Sequence, residues 1–319
     1  MIKAIENLMA HDTAGDPITG LKWTRKTLKK ICRELLAVNI RVSNNTVARL
    51  LKQLGYSLRV NHKKISSGSK RHRNRQFRYI KRLQQAFEGD GLPVISVDTK
   101  KKELVGQFKN PGAVWAKTPT LVKDHDFRSE SVGMAVPYGV LDLPANRGHV
   151  FVGISHDTPT FAVDALVQWW TREGRLRYPE ANQLLILADT GGSNGSRLRV
   201  WKYLLQTKFS NHFAVAVTVC HYPPGTSKWN PIEHRLFSEI SKNWAGRPLD
   251  SYDTILNYIR TTKTTTGLRV RATLIRRHYP TGCKVALRDM KHVNLHRHNV
   301  LPEWNYTVRP TCQRLRSCF

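Results

Sequence analysis

The chain has 319 residues with 52 Lys+Arg against 23 Asp+Glu, a formal net charge of +29. That excess points to a polyanionic partner. No apolar run approaches the roughly 18 residues of a membrane-spanning helix and the N-terminus lacks a signal-peptide pattern, so a soluble cytoplasmic protein with no membrane partner is expected.

In chain order, residues 1–22 are polar and Pro/Gly-marked and read as a frayed or incomplete segment. From Trp23, the residues Leu28, Ile31, Cys32, Leu35 and Leu36 recur at i, i+3, i+4, i+7 and i+8, which predicts an amphipathic helix with Thr24 as N-cap and Trp23 stapled onto Leu28. After Asn39–Val42, Ser43 can cap a second helix carrying Val47, Leu50, Leu51 and Leu54 before Gly55 ends it. Residues 23–58 are therefore a helix-turn-helix candidate. Its second helix exposes Asn44, Asn45, Thr46, Arg49 and Lys52, side chains able to reach base edges and phosphates in a major groove. A plain helical hairpin would give the same pattern. The basic run that follows, with Lys63, Lys64, Arg71 and Arg73, favours DNA binding, while Ser66-Ser67-Gly68-Ser69 within it suggests a flexible connection. Residues 59–91 form this basic linker and a helix bearing Ile80, Leu83 and Phe87.

A second domain is expected over 92–246. Strands near 93–98, 135–143 and 149–156 are followed by a helix, a strand at 184–189, a helix, a strand at 213–221 and a helix at 231–245, with a loop-rich insertion at 99–133. Three successive strands and then alternating helices and strands predict an α/β mixed sheet covered by helices, in the order of the ribonuclease H-like fold. Residues 247–319 form a basic C-terminal region whose Trp304–Val308 segment has no functional reading.

Acids are the scarce residues, and three stand where apolar runs end or begin: Asp98 after Val94–Val97, Asp189 after Leu184–Ala188, and Glu233 in Asn230-Pro231-Ile232-Glu233. Asp189 falls at a strand's C-terminal edge, where open α/β sheets place ligands. On a regular helix Glu233 projects within the arc of Ile232, Leu236, Phe237, Ile240 and Trp244, so it needs a cation, a donor or a cavity in front of it, or else it is a solvated first-turn acid. Such a triad suits metal ions held against phosphate. Asp157, next after a strand, is the nearest rival for a place in the triad, but the preferred reading is the N-cap of the helix beginning near Thr160. Five cysteines with no C-x-x-C pair argue against disulfides and a zinc ribbon, and Cys283 with His292, His296 and His298 matches no familiar ligand spacing.

Val94–Gly106 (VISVDTKKKELVG), Ala188–Gly195 (ADTGGSNG) and Cys220–Phe237 (CHYPPGTSKWNPIEHRLF) resemble the Rhodopirellula-type insertion-sequence transposases, and Leu50–Tyr56 (LLKQLGY) resembles the end of that family's helix-turn-helix. The resemblance covers roughly residues 21–308. It implies Asp98, Asp189 and Glu233 as catalytic and metal-binding acids, with two Mg²⁺ about 3.5–4 Å apart, replaceable by Mn²⁺, serving phosphodiester hydrolysis and strand transfer on double-stranded DNA. It further implies a bacterial, nucleoid-associated homo-oligomer on DNA. His221, Lys228, Asn230 and His234 flank the glutamate, each placed to touch phosphate or orient a ligand or else structural, and Lys228 is expected on phosphate. Thr190 stands where the family leads one to expect glycine, and an upstream segment is expected before residue 1. An inactive, transposase-derived DNA-binding repressor is the alternative, and a ribonuclease H-like nuclease without integration is a third reading.

Overall fold

The computed structural model describes residues 1–12, 14–15, 22–23, 26–57 and 70–311, with side chains for 1–8, 26–57 and 71–311. The expectations for Thr24, Lys63, Lys64 and the Trp23 side chain lie outside that set. The chain divides into two compact units, Met1–Ile65 and Ser66–Phe319.

The first unit holds α1 (Ile2–Asp12), a two-residue ladder of β1 (Ala14–Gly15) with β2 (Lys22–Trp23), α2 (Leu28–Ala37) and α3 (Asn44–Gln53). Residues 2–12 are helical rather than frayed, because Ile5 is fully buried against Ile31, Leu35, Val47 and Leu50. α2 begins under Thr27, whose side chain accepts from Lys30 N–H at 3.2 Å. As expected, Ser43 caps α3 by accepting from Thr46 N–H, and Gly55 ends the turn at φ +80°. The buried stripe of α2 is narrower than its periodicity suggests, since Leu28 and Leu36 are exposed.

The second unit is a mixed α/β fold. Its sheet comprises β3 (Val94–Thr99), β4 (Glu103–Val105), β5 (Gly133–Asp142), β6 (Arg147–Gly153), β7 (Gln183–Ala188), β8 (Ala216–His221), β9 (Arg269–Ile275), β10 (Leu295–Arg297) and β11 (Asn305–Val308). The order is β10-β11-β8-β7-β3-β5-β6-β9, with β4 on β5. β3, β5 and β6 form an antiparallel meander, and β7 and β8 extend it in parallel from β3. That five-strand order is the ribonuclease H-like one. The C-terminal region completes both margins: β9 joins β6 in parallel, and β11, from the Trp304–Val308 segment, pairs antiparallel with β8.

Alternation along the strands feeds two cores. Ile95, Val97, Leu184, Ile186 and Phe151 face α5 (Pro159–Trp169) and α7 (Arg199–Leu204), which contribute Phe161, Leu166, Trp169 and Trp201. Short α6 (Arg175–Arg177) and α8 (Asn211–Phe213) lie in the same connections. Val94, Leu185, Leu187, Val150 and Val152 face the other way, under α4 (Lys70–Gly89), α9 (Ser238–Asn243) and α10 (Tyr252–Arg260). α4 thus packs on the sheet through Ile80 and Phe87. A last helical turn is α11 (Leu287–Met290).

The segment leading into α9 comes very close to the sheet. A Cβ at Gly139 would lie 2.6 Å from Phe237 and 2.8 Å from Ile232, and one at Gly148 would lie 2.6 Å from Leu236. These two glycines let Ile232–Phe237 press onto β5 and β6, bringing Glu233 to the β3 side. The helix is not regular there: Glu233–Phe237 forms a π-turn before α9, a distortion that recurs at functional sites.

Candidate active site

Asp98 is the penultimate residue of β3, and Asp189 directly follows the parallel neighbour β7, whose Ala188 lies opposite His221 of β8. Both aspartates follow the alternation of Ser96 and Leu187, so they belong to the face covered by Ile232–Phe237. Glu233 enters from that cover, half-buried, at the start of the π-turn. Three distant stretches therefore converge on one strand-end edge.

Their electrostatics record the convergence. Burial, reinforced by the negative charges of Asp189, Glu233 and Asp157, pushes Asp98 up to about 8. Burial raises Asp189 as well, against the hydrogen bond from Asn230. Glu233 is raised by burial and by Asp189, with Lys100 and His234 pulling the other way. The nearest buried cation, Lys100, is committed to Glu103 at 3.1 Å and lies 4.5 Å above the Trp244 ring. Like charges gathered with so little compensation favour protonation or a bound cation.

Neutral groups hold the acids in place. Asn230, fully buried, donates from Nδ2 to Asp189 Oδ1 at 3.2 Å and accepts from Ser96 Oγ. Ser96 Oγ in turn accepts from Ile232 N–H at 3.3 Å. This relay ties β3, the end of β7 and the glutamate segment together. Asp98 accepts from Thr99 N–H at 2.7 Å. Burial depresses His221 to about 4, so it is neutral. Its Nδ1–H then donates to the Asp189 carbonyl at 2.8 Å while Nε2 accepts from Tyr306 at 3.2 Å, and Tyr306 accepts from Trp201 at 3.0 Å. Strand β11 thereby braces Asp189 through the imidazole.

Asp157 is not the cap of α5. Thr158 fills that role, accepting from Phe161 N–H at 3.2 Å, because its position directly before Pro159 aims the hydroxyl at the first turn. Asp157 instead accepts from Thr99 Oγ1 at 3.0 Å and stands near enough to Asp98 to raise its pKa. Of its two sequence readings, the preferred one as a cap is overturned and the one beside the triad fits its place near Asp98; Ser96 had no reading, although a polar residue two places before Asp98 in a buried strand was its signal.

The basic candidates fall into separate groups. On α3, Asn45, Arg49 and Lys52 are exposed and Thr46 is half-buried, while Asn44 accepts from the Cys32 thiol at 3.2 Å. On α4, Arg71 is exposed and Arg73 lies 5.5 Å from the Trp229 ring, which Lys228 approaches at 4.1 Å. Arg73 and Lys228 therefore flank the loop that carries Asn230 and Glu233.

Residues 4–310 match the family model described as the Rhodopirellula transposase DDE domain. The chain belongs to that family. Among solved structures, this transposase is similar to three described as a Mos1 transposase paired-end complex with left transposon end (14% identity, TM-score 0.41, 81% of this chain and 69% of that one), a pre-cleavage Mos1 transpososome (14%, 0.43, 81% and 70%) and a mariner Mos1 paired end complex with Mg (15%, 0.46, 73% and 65%). No curated protein is similar enough to match.

Among the described residues, no three His, Cys, Asp or Glu side chains are arranged to hold a metal ion as they stand. The donor set nevertheless fits hard divalent ions: carboxylate oxygens raised by burial, with the buried Lys100 beside them already committed to Glu103. No helix among the described residues is long and apolar enough to cross a membrane.

Proposed function

We propose that this transposase cuts and joins DNA strands at Asp98, Asp189 and Glu233. The observation that carries the reading is the convergence of three acids from β3, the end of β7 and the π-turn on one strand-end edge, where burial raises all three and Asp189 and Glu233 raise Asp98 further. When bound there, two Mg²⁺ or Mn²⁺ ions would activate the attacking hydroxyl and stabilise the leaving oxygen. The chain's own residues prepare that site. Asn230 fixes one Asp189 oxygen and the Thr99 N–H one Asp98 oxygen, which orients the second oxygen of each aspartate. Neutral His221 holds the Asp189 backbone without adding a charge that would repel a cation. Arg73 and Lys228, both against the Trp229 ring, would supply positive charge for a DNA strand's phosphates at the loop that leads to Glu233.

Asn44, Asn45, Thr46, Arg49 and Lys52 of α3 would read duplex ends, and Lys63, Lys64, Arg71 and Arg73 would hold phosphate irrespective of sequence. A homo-oligomer on DNA would pair two ends. The test is incubation of the full chain with Mg²⁺ and labelled terminal-repeat duplex. Cleaved and joined products support the reading, cleavage without joining would indicate a nuclease, and binding alone would indicate a repressor.

A further inference from the structure

Away from the carboxylates, at the edge formed by β9, lies a cavity of about 500 Å³ lined by Arg147, Glu173, Arg260, Lys263, Arg269 and Arg271. Its charge follows from register. Arg147 pairs with Arg269, and Arg271 follows two residues on opposite the buried His149, so three guanidiniums stand on one face at the edge of two parallel strands while Val270 and Ala272 between them are buried. Glu173 is spoken for: His149 bonds it, and Arg177 and Arg271 lie 3.5 and 3.8 Å away. Arg260 covers the edge by donating to the Ala272 carbonyl at 3.1 Å. None of the ion pairs among the described residues involves Arg147, Arg260, Lys263 or Arg269. With Glu173 already engaged by His149, Arg177 and Arg271, the cations left in the concavity repel one another, and an anion with several oxygens relieves that repulsion while matching the guanidinium forks.

The lining includes no aromatic side chain on which a base could stack, so the chemistry suits a phosphate and not a nucleobase. Its position separates it from the acids. Arg147, Arg269 and Arg271 lie on the Phe151 face, whereas Asp98 and Asp189 belong to the Leu187 face. Ile95 stands level with Asp142, Asp142 with Arg147, and Arg147 with Arg269, so β9 is three strands and three residues from Asp98, roughly 17 Å away around a sheet edge.

We propose that this cavity takes a backbone phosphate of a second duplex DNA segment, distinct from the strand at the carboxylates. The proposal rests on the reading of the chain as one that acts on DNA. The experiment measures duplex affinity over a salt series for the full chain, for Arg147→Ala/Lys263→Ala/Arg269→Ala, and for a control with equal charge loss, Lys109→Ala/Lys117→Ala/Arg128→Ala, at exposed positions elsewhere. Circular dichroism confirms that each is folded, and Arg269→Glu provides a single-site version. The expected result is a slope of log K against log salt flattened by about 0.9 for each phosphate that the cavity variants no longer neutralise, and by less than half of that in the control. Equal slopes for cavity and control variants would overturn the proposal. Melting in inorganic phosphate at matched ionic strength separates the sources: stabilisation lost in the cavity variants without a change in DNA slope would assign the site to a free phosphate ion and overturn the DNA claim. Strand cleavage is scored in parallel. A wild type that fails to cut but shows the slope difference refutes the catalytic reading alone, and normal cutting with equal slopes refutes the cavity alone.

Discussion

One sheet carries two groups of acids, and only one group is neutralised. Where β5 ends and β6 begins, Asp142 and Glu173 are nearly inaccessible, yet Arg177 reaches both, at 2.5 and 3.5 Å, and Tyr178 donates to Asp142 at 2.9 Å. Burial alone would raise Glu173, but His149, Arg271 and Arg177 more than offset it and hold its pKa below the usual range. At the ends of β3 and β7 and in the π-turn, burial raises the acids and no comparable counter-charge offsets it, while Asp189 and Glu233 push Asp98 further up and Asp189 does the same to Glu233. Burial of an acid therefore says little about function, whereas an acid without a counter-charge says a great deal.

Breaking the uncompensated group should have the largest effect on chemistry. Asp98→Ala, Asp189→Ala and Glu233→Ala should each lower strand cleavage about a thousandfold or more in folded protein, with duplex affinity nearly unchanged, since metal stabilisation of the reacting oxygens contributes several kcal/mol. Gel assays of cleavage and binding on the same preparations check this, and near-normal cutting by any of the three would remove it from the triad. The compensated group should answer differently. Arg177→Ala leaves the Asp142 carboxylate buried with only Tyr178 and the Ala145 N–H, so urea denaturation should show a loss of about 3 kcal/mol while cleavage per folded molecule is retained. Impaired chemistry at unchanged stability would mean that this cluster is also functional.

Between these extremes lies the relay. Asn230→Ala should reduce cleavage by about 10–100-fold, because Asp189 loses the donor that orients it while keeping its charge. An activity loss matching that of Asp189→Ala would make Asn230 a direct participant, and none at all would make the hydrogen bond incidental.

The carboxylates were legible in the sequence because each terminates or opens an apolar run, and the strand order followed from the ribonuclease H-like fold that the succession of strands and helices matches. Their surroundings were legible only as neighbours of Glu233 in sequence, whereas Asn230 and His221 act on Asp189. Asn230 meets Asp189 only through the Gly139 and Gly148 gaps that let the π-turn settle on the sheet, and no periodicity predicts such an approach. The Trp304–Val308 segment had no reading because its role is to pair with β8 and set Tyr306 against His221, across 85 positions of sequence. Asp157 was misread because two residues beside a proline could each cap the helix, and local sequence does not say which hydroxyl or carboxylate turns inward.

A smaller effect concerns pH. Asp98 is raised from an ordinary 3.8 to about 8, so between those values the metal-free folded state holds a proton that the unfolded chain has released, and stability falls as pH rises through the window. Asp189 and Glu233 shift in the same direction and add to the trend. The metal-free protein should melt a few degrees lower at pH 8 than at pH 5, and Asp98→Asn should flatten that dependence. An identical pH profile for wild type and Asp98→Asn would show that Asp98 is not perturbed.

The central claim is that the uncompensated acids await a divalent cation. Calorimetric titration of the full chain with Mg²⁺ or Mn²⁺ at constant ionic strength, beside Asp98→Asn/Asp189→Asn, tests it most directly. Saturable binding by the wild type, with a melting temperature that rises with metal, and loss of both in the double variant is the predicted result. Equal binding by the two proteins, or a wild type that takes up no divalent ion, would contradict the account.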